Sequence, residues 1–131
     1  MPIKPVISIV DDDPSVREGM MDLLASRDFV AESFARAEDF LSSNRVESTY
    51  CLIADVQMPG MSGLELYNRL VGSGTVIPTI LITAFPNEGD RARALRDGVR
   101  CYLTKPVNEA ELLACIRSAI EHRETDRETS S

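Results

Sequence analysis

Carboxylate, hydroxyl and ammonium groups stand close behind apolar runs in this 131-residue sequence. Three consecutive aspartates, Asp11 to Asp13, follow the run VISIV, and Asp55 follows CLIA. Thr83 follows TILI, and Lys105 comes soon after CYL. Two unit charges about 4 Å apart repel by roughly 4 kcal/mol at an effective dielectric of ~20. An aspartate run at the tip of a buried strand must therefore either spread its side chains or hold a cation.

These residue types suit metal-assisted phosphoryl chemistry. Carboxylate oxygens are hard ligands that favour Mg²⁺, with Mn²⁺ as a possible substitute. Asp55 could act as a nucleophile that forms an aspartyl phosphate. Lys105 and the metal would balance charge on the phosphoryl oxygens, and Thr83 could donate a hydrogen bond to one of them. All of this requires the ends of the apolar runs to lie side by side.

The pattern of elements meets that requirement. Five apolar runs alternate with five amphipathic segments, which predicts a parallel sheet covered by helices on both faces. In such α/β folds, ligands bind beyond the carboxyl ends of the strands. Asp13 and Pro14 suit the start of the first helix, and Gly98 suits the end of a fourth helix with few large apolar residues. The predicted strands are Val6 to Val10, Phe29 to Phe34, Cys51 to Ala54, Thr79 to Ile82 and Cys101 to Leu103.

Composition excludes several classes of function. The net charge is -7, which argues against general attraction to nucleic acid or to anionic membrane. No apolar run approaches the ~20 residues of a membrane span, and no signal-peptide pattern precedes the aspartates. The three cysteines form no C-x-x-C pair, so neither a disulfide framework nor a zinc site is indicated. We expect a cytoplasmic protein.

Four segments together resemble the receiver domains of two-component response regulators, in the CheY-like superfamily. The segment LIADVQMPGMSG (52–63) is similar to the phosphoacceptor loop, and IVDD (9–12), ILITA (80–84) and YLTKP (102–106) match in order. The pattern looks most like the NarL/FixJ-type subgroup, which often carries a C-terminal helix-turn-helix domain. The resemblance implies a flavodoxin-like, doubly wound sheet of order 2-1-3-4-5. It implies a receiver domain at residues 1–121, leaving 122–131 as a polar tail or the start of a linker to an absent output domain.

The resemblance also assigns the acidic residues. Asp55 is implied to be the phosphoacceptor. Asp11 and Asp12 form the acidic pair, with Asp12 as the more direct Mg²⁺ ligand, and the backbone carbonyl of Gln57 would complete the protein ligands. Asp13 is expected to point away as the cap of the first helix, where the helix dipole favours its charge.

Other positions receive switching roles from the resemblance. Thr83 is the switch hydroxyl, Tyr102 the aromatic that changes rotamer, and Lys105 the charge-balancing lysine, with a cis bond to the following proline. Gln57 and Phe85 would flank the path of the water that hydrolyses the phosphoryl group. Two interpretations of Phe85 stay open: its ring either lies over the site and excludes solvent or points outward as part of a partner surface.

The implied function is a signalling switch, and two other functions remain as alternatives. The implied partners are a sensor histidine kinase, an output domain and a second copy bound through helix four, strand five and helix five after phosphorylation. Such a domain is not an enzyme beyond its own phosphotransfer and dephosphorylation. One alternative is a haloacid-dehalogenase-like phosphatase, which would use the D-x-D spacing of Asp11 and Asp13. That class needs further acidic metal ligands on a late strand, whereas the later candidates here, Asp90 and Asp97, are predicted to lie inside a helix. The other is a docking module that is never phosphorylated.

Overall fold

Five parallel strands form one sheet in this computed structural model, which describes residues 5–129, with side chains from 5 to 121. The strands pair in the order β2-β1-β3-β4-β5, which confirms the expected α/β class and strand order. They are β1 (Val6–Val10), β2 (Val30–Phe34), β3 (Thr49–Asp55), β4 (Thr79–Thr83) and β5 (Cys101–Thr104). The five helices are α1 (Pro14–Ser26), α2 (Ala37–Leu41), α3 (Gly63–Gly72), α4 (Glu88–Asp97) and α5 (Glu109–Thr129).

The ends of the helices follow local signals in the sequence. Asp13 caps α1, because its carboxylate accepts a hydrogen bond from the backbone N–H of Ser15 at 2.9 Å. The Asn108 side chain accepts from the backbone N–H of Glu111 at 2.9 Å at the start of α5. Gly98 ends α4 with φ of 114°, a left-handed backbone that favours glycine.

Strand β3 begins at Thr49, two residues before the predicted start at Cys51. Thr49 is buried, and its hydroxyl lies 2.7 Å from the hydroxyl of Ser8 in the neighbouring strand. The pairing satisfies two buried polar groups that a search for apolar runs passes over. Strand β2 begins at Val30, one residue later than predicted.

Apolar side chains fill both faces of the sheet. One cluster lies against α1 and α5 and includes Ile9, Ile53 and Ile116. The other lies against α2, α3 and α4 and includes Phe40 and Leu81. Of the ten residues of α4, all of them described, only Ala94 is buried, so this helix is held by few apolar contacts.

The polar stretch from residue 122 continues α5 to Thr129, while Ser130 and Ser131 lie outside the described residues. The boundary predicted at residue 121 therefore coincides with no break in the helix. Among the described residues, the model has no helix that combines the length and apolarity needed to cross a membrane.

Candidate functional site

The strand order brings the chemically active residues to one edge of the sheet. Strands β1, β3 and β4 are neighbours at its centre, and β5 flanks β4. Asp11 follows β1, Asp55 ends β3, Thr83 ends β4 and Lys105 follows β5. Because parallel strands end at the same edge, residues separated by many positions in the chain meet here.

Lys105 joins two of the carboxylates. Its ammonium nitrogen lies 2.8 Å from Asp55 Oδ2, to which it donates a hydrogen bond, and 3.0 Å from Asp11 Oδ2. Burial works to lower the pKa of Lys105, but its contacts with Asp55 and Asp11 outweigh this and hold the pKa above its ordinary value. Lys105 is therefore charged at neutral pH. The bond from Lys105 to Pro106 is cis, as expected.

Asp11, the first residue of the acidic pair, is buried beside Lys105. Asp11 is fully buried, and its Oδ1 accepts from the backbone N–H of Asp13 at 2.9 Å. Its Oδ2 lies 3.0 Å from the Lys105 ammonium and has no other polar partner among the described residues. Burial is the main cause that raises the pKa of Asp11, and the charge of Asp55 adds to it.

These carboxylates fit a hard divalent cation. Asp11, Asp12 and Asp55 each offer an oxygen, and the three oxygens lie within 4.8 Å of one another. Asp12 is exposed, whereas Asp11 and Asp55 are buried. Among the described residues, these three carboxylates face one ammonium group, that of Lys105, so the cluster carries excess negative charge that a bound metal would offset.

Asp13 takes no part in this cluster. Its carboxylate caps α1, as predicted from the sequence. The D-x-D pair of the phosphatase alternative is thus divided between a site residue and a helix cap. Asp90 and Asp97, the later acidic residues considered for that alternative, both lie in α4. The geometry does not support that alternative.

Asp55 is held by its own loop as well as by Lys105. Its side chain is buried, and Oδ1 accepts from the backbone N–H of Gln57 at 3.0 Å. Gly63 is essential to this loop, because a Cβ at that position would overlap the Asp55 carbonyl oxygen. Gly63 lies in the segment LIADVQMPGMSG, but only the close packing of the loop under the end of β3 reveals why glycine is needed there.

Thr83 is bound to Gln57. The fully buried hydroxyl donates to Gln57 Oε1 at 3.0 Å and accepts from the backbone N–H of Phe85 at 3.0 Å. This side-chain hydrogen bond between two predicted site residues was not anticipated, since no spacing rule links positions 26 apart.

Two predicted residues lie away from the acidic cluster. Tyr102 is buried in the core cluster that α3 and α4 cover, and its hydroxyl has no hydrogen-bond partner among the described residues. Burial, then the charge of Asp90, raises the pKa of Tyr102. Phe85 is 72% exposed, which favours the interpretation as a partner surface over that of a ring that shields the site.

Arg17 is a further residue that sequence reasoning missed. Its guanidinium donates to the backbone carbonyl of Asp11 at 2.6 Å and so ties α1 to the turn that carries the acidic pair. The position six residues downstream on a helix gives no pattern by which to find it.

Comparison with known proteins agrees with this geometry. The family model described as "Response regulator receiver domain" matches residues 7–117. The response regulator protein TodT of Pseudomonas putida is 38% identical over 116 residues, covering 88% of this chain and 51% of TodT. The transcriptional regulatory protein FixJ of Azorhizobium caulinodans is 31% identical over 120 residues, covering 92% of this chain and 57% of FixJ.

A solved structure shows the same likeness. The structure titled "Low Resolution Structure of Response Regulator StyR" superposes with a TM-score of 0.90 at 39% identity, covering 98% of this chain and 65% of that one. The chain spans about half the length of TodT. The matched family model, the relatives and the placement of the acidic residues agree: this chain belongs to the family of response regulator receiver domains.

Proposed function

We propose that this domain is a phosphorylation-dependent switch that receives a phosphoryl group on Asp55 from a sensor histidine kinase. A bond forms between an Asp55 carboxylate oxygen and phosphorus, the phosphorus–nitrogen bond of the donor phosphohistidine breaks, and the imidazole leaves. One observation carries the proposal: Asp55 is a buried carboxylate at the centre of the sheet edge, 2.8 Å from an ammonium group and beside two further carboxylates. Family membership supports the same function.

Each neighbouring residue has a proposed part. Lys105 holds the Asp55 carboxylate in place and neutralises charge on the transferred group. Asp11, Asp12 and Asp55, with the backbone carbonyl of Gln57, would hold Mg²⁺, or Mn²⁺ in its place. When bound, the metal supplies positive charge that offsets the carboxylates and the phosphoryl oxygens. Arg17 keeps the acidic turn in position through the Asp11 carbonyl.

The switch is read out on a different surface. The phosphoryl group favours a state in which Thr83 and Tyr102 adopt new side-chain positions, and this shifts the population of surfaces built from α4, β5 and α5. We propose that phosphorylated copies associate through that surface. The few apolar contacts of α4 support it, because a weakly packed helix rearranges at low cost. Sedimentation with and without beryllofluoride, a phosphoryl mimic, tests it; an unchanged mass at all concentrations would exclude it.

The output is proposed to be transcriptional, through an attached or separate DNA-binding domain. Support comes from similar proteins such as the transcriptional regulatory protein FixJ, and from the fact that this chain covers about half the length of such proteins. The net charge of -7 favours leaving DNA contact to the output domain. Receiver domains are signalling domains; we propose that this one acts in the cytoplasm and has no phosphatase activity towards other substrates.

Intact-mass measurement tests the central claim. Incubation with acetyl phosphate and Mg²⁺ should add one phosphoryl group of acyl type, which hydroxylamine removes. Asp55→Asn should abolish the addition, whereas Asp39→Asn, an exposed aspartate of α2, should keep it. Full labelling of Asp55→Asn would exclude Asp55 as the acceptor. A wild-type protein that takes up no phosphoryl group from acetyl phosphate or from a kinase would instead support the docking-module alternative.

A further inference from the structure

The hydroxyl of Thr83 is fully engaged in this structure. It accepts a hydrogen bond from the backbone N–H of Phe85 and donates its hydrogen to Gln57 Oε1, both at 3.0 Å. Thr83 is fully buried, so solvent does not compete for that hydrogen. A hydroxyl has one hydrogen and can donate it to one acceptor at a time.

We propose that the Gln57 side chain is a latch that holds the Thr83 hydroxyl and competes for it with the phosphoryl group on Asp55. The inference rests on the proposed function, together with the expectation from the sequence that Thr83 donates a hydrogen bond to a phosphoryl oxygen on Asp55. Since the hydrogen cannot serve both acceptors, the bond to Gln57 must break before the bond to the phosphoryl group forms. Gln57 is thus a positioning residue that biases the domain towards its unphosphorylated state.

The position of Gln57 suits this role. Its backbone N–H donates to Asp55 Oδ1 at 3.0 Å, while its side chain reaches Thr83 on the neighbouring strand. One residue therefore contacts both the proposed acceptor and the switch hydroxyl. The Gln57 side chain is exposed, so water can replace Thr83 as its partner when the latch opens. Breaking the hydrogen bond between Gln57 and Thr83 therefore costs little free energy, so that a single phosphoryl group can shift the equilibrium.

Substitution of the acceptor tests the latch. Gln57→Met keeps the length of the side chain and the backbone carbonyl but removes the acceptor oxygen. We expect it to bind beryllofluoride in the presence of Mg²⁺ about fivefold more tightly than wild type, which corresponds to the ~1 kcal/mol of one hydrogen bond. Isothermal titration calorimetry measures the affinity directly and requires no output domain.

A double-mutant cycle separates the latch from any other effect of the substitution. In a Thr83→Ala background the hydroxyl is absent, so Gln57→Met should no longer change the affinity for beryllofluoride. In a Thr83→Ser background the hydroxyl is restored, and the gain should return. The same gain with and without the Thr83 hydroxyl would overturn the latch, as would no gain, or a loss, in the wild-type background. A wild-type protein that binds no beryllofluoride and accepts no phosphoryl group would instead overturn the proposed function, and the latch with it.

Discussion

Lys105→Met removes the ammonium group that, among the described residues, contacts the buried carboxylates, and we expect it to destabilise the protein strongly. The structure gives ion-pair distances of 2.8 Å to Asp55 and 3.0 Å to Asp11. At an effective dielectric of ~20 these correspond to roughly 6 and 5.5 kcal/mol of attraction. The variant regains the cost of desolvating the ammonium group, which is several kcal/mol for a buried ion. It also leaves Asp11 and Asp55 to repel each other.

The net loss follows from this balance. Removing one partner of a buried ion pair costs about 3–5 kcal/mol, and the 18% exposure of the Lys105 side chain places this case near the lower value. We therefore expect a loss of ~3 kcal/mol in the free energy of unfolding. For a domain of this size that loss lowers the melting temperature by roughly 10 °C. Urea and thermal unfolding in metal-free buffer measure both.

The loss should depend on pH and on Mg²⁺. Without the ammonium group, a buried carboxyl prefers its protonated form, so the folded state binds more protons than the unfolded state above pH ~4. Stability of the variant relative to wild type should consequently improve as the pH falls from 7 towards 5. Mg²⁺ should stabilise the variant by about 1.4 kcal/mol at a concentration ten times its dissociation constant. The variant should bind Mg²⁺ more tightly than wild type, because ammonium and metal compete for the same carboxylates.

Two controls make this reasoning refutable. Lys105→Arg keeps the charge and should lose less stability than Lys105→Met. Arg93→Met breaks an exposed ion pair with Asp90 at 3.6 Å and should cost about 0.5 kcal/mol or less. A Lys105→Met protein as stable as wild type in metal-free buffer would show that the buried carboxylates do not need this ammonium group for stability. A loss of stability that changes with neither pH nor Mg²⁺ would show the same.

Four further predictions concern the acidic turn, the exposed ring and two glycines, one at the end of α4 and one within α1. Asp12→Asn should weaken Mg²⁺ binding about tenfold or more, while Asp13→Asn should leave it unchanged because asparagine also caps helices. Equal losses of Mg²⁺ affinity in the two variants, measured by calorimetry, would contradict these separate roles of Asp12 and Asp13. Phosphorylated Phe85→Ala should lose its phosphoryl group at the wild-type rate but bind its partner less tightly, given the 72% exposure of the ring. Faster dephosphorylation, followed by intact mass, would instead support a ring that shields the site. Gly98→Ala should lower the free energy of unfolding by about 2 kcal/mol, because the backbone is left-handed and a Cβ would overlap a tyrosine hydroxyl of α3. Gly19→Ala, within α1 and with open space around its Cα, should instead stabilise by about 0.5–1 kcal/mol in the same urea experiment.

Much of the fold could be predicted because β1, β3, β4 and β5 each contain an apolar run with a polar residue at or just after its end. The cap at Asp13 and the left-handed end of α4 at Gly98 follow from residue types that suit those backbone conformations. The start of β3 was missed because Thr49 is polar by composition. Its buried hydroxyl is paired with that of Ser8, 41 positions away, and donates to the Arg45 carbonyl.

The sequence predicts which residues meet at the site but not which hydrogen bonds they form there. Asp11, Asp55 and Lys105 come together as expected, since parallel strands end at one edge. Which hydroxyl meets which amide depends on side-chain rotamers that no spacing encodes, so the bond from Thr83 to Gln57 could not be foreseen. The resemblance supplied the strand order, which periodicity alone leaves open.

The packing of α4 determines how a change at Thr83 can reach the surface. At its C-terminal end, the Tyr67 hydroxyl donates to the Asp97 carbonyl at 3.2 Å and lies against Gly98, so that end is anchored to α3. At its N-terminal end, the segment 84–87 is exposed throughout and runs directly from Thr83 into the helix. The backbone N–H of Phe85 in that segment bonds to the Thr83 hydroxyl. A displacement of that hydroxyl therefore acts on the N-terminal end of α4, while the C-terminal end is anchored to α3. A pivot of α4 about its C-terminus is the motion that these contacts permit most readily.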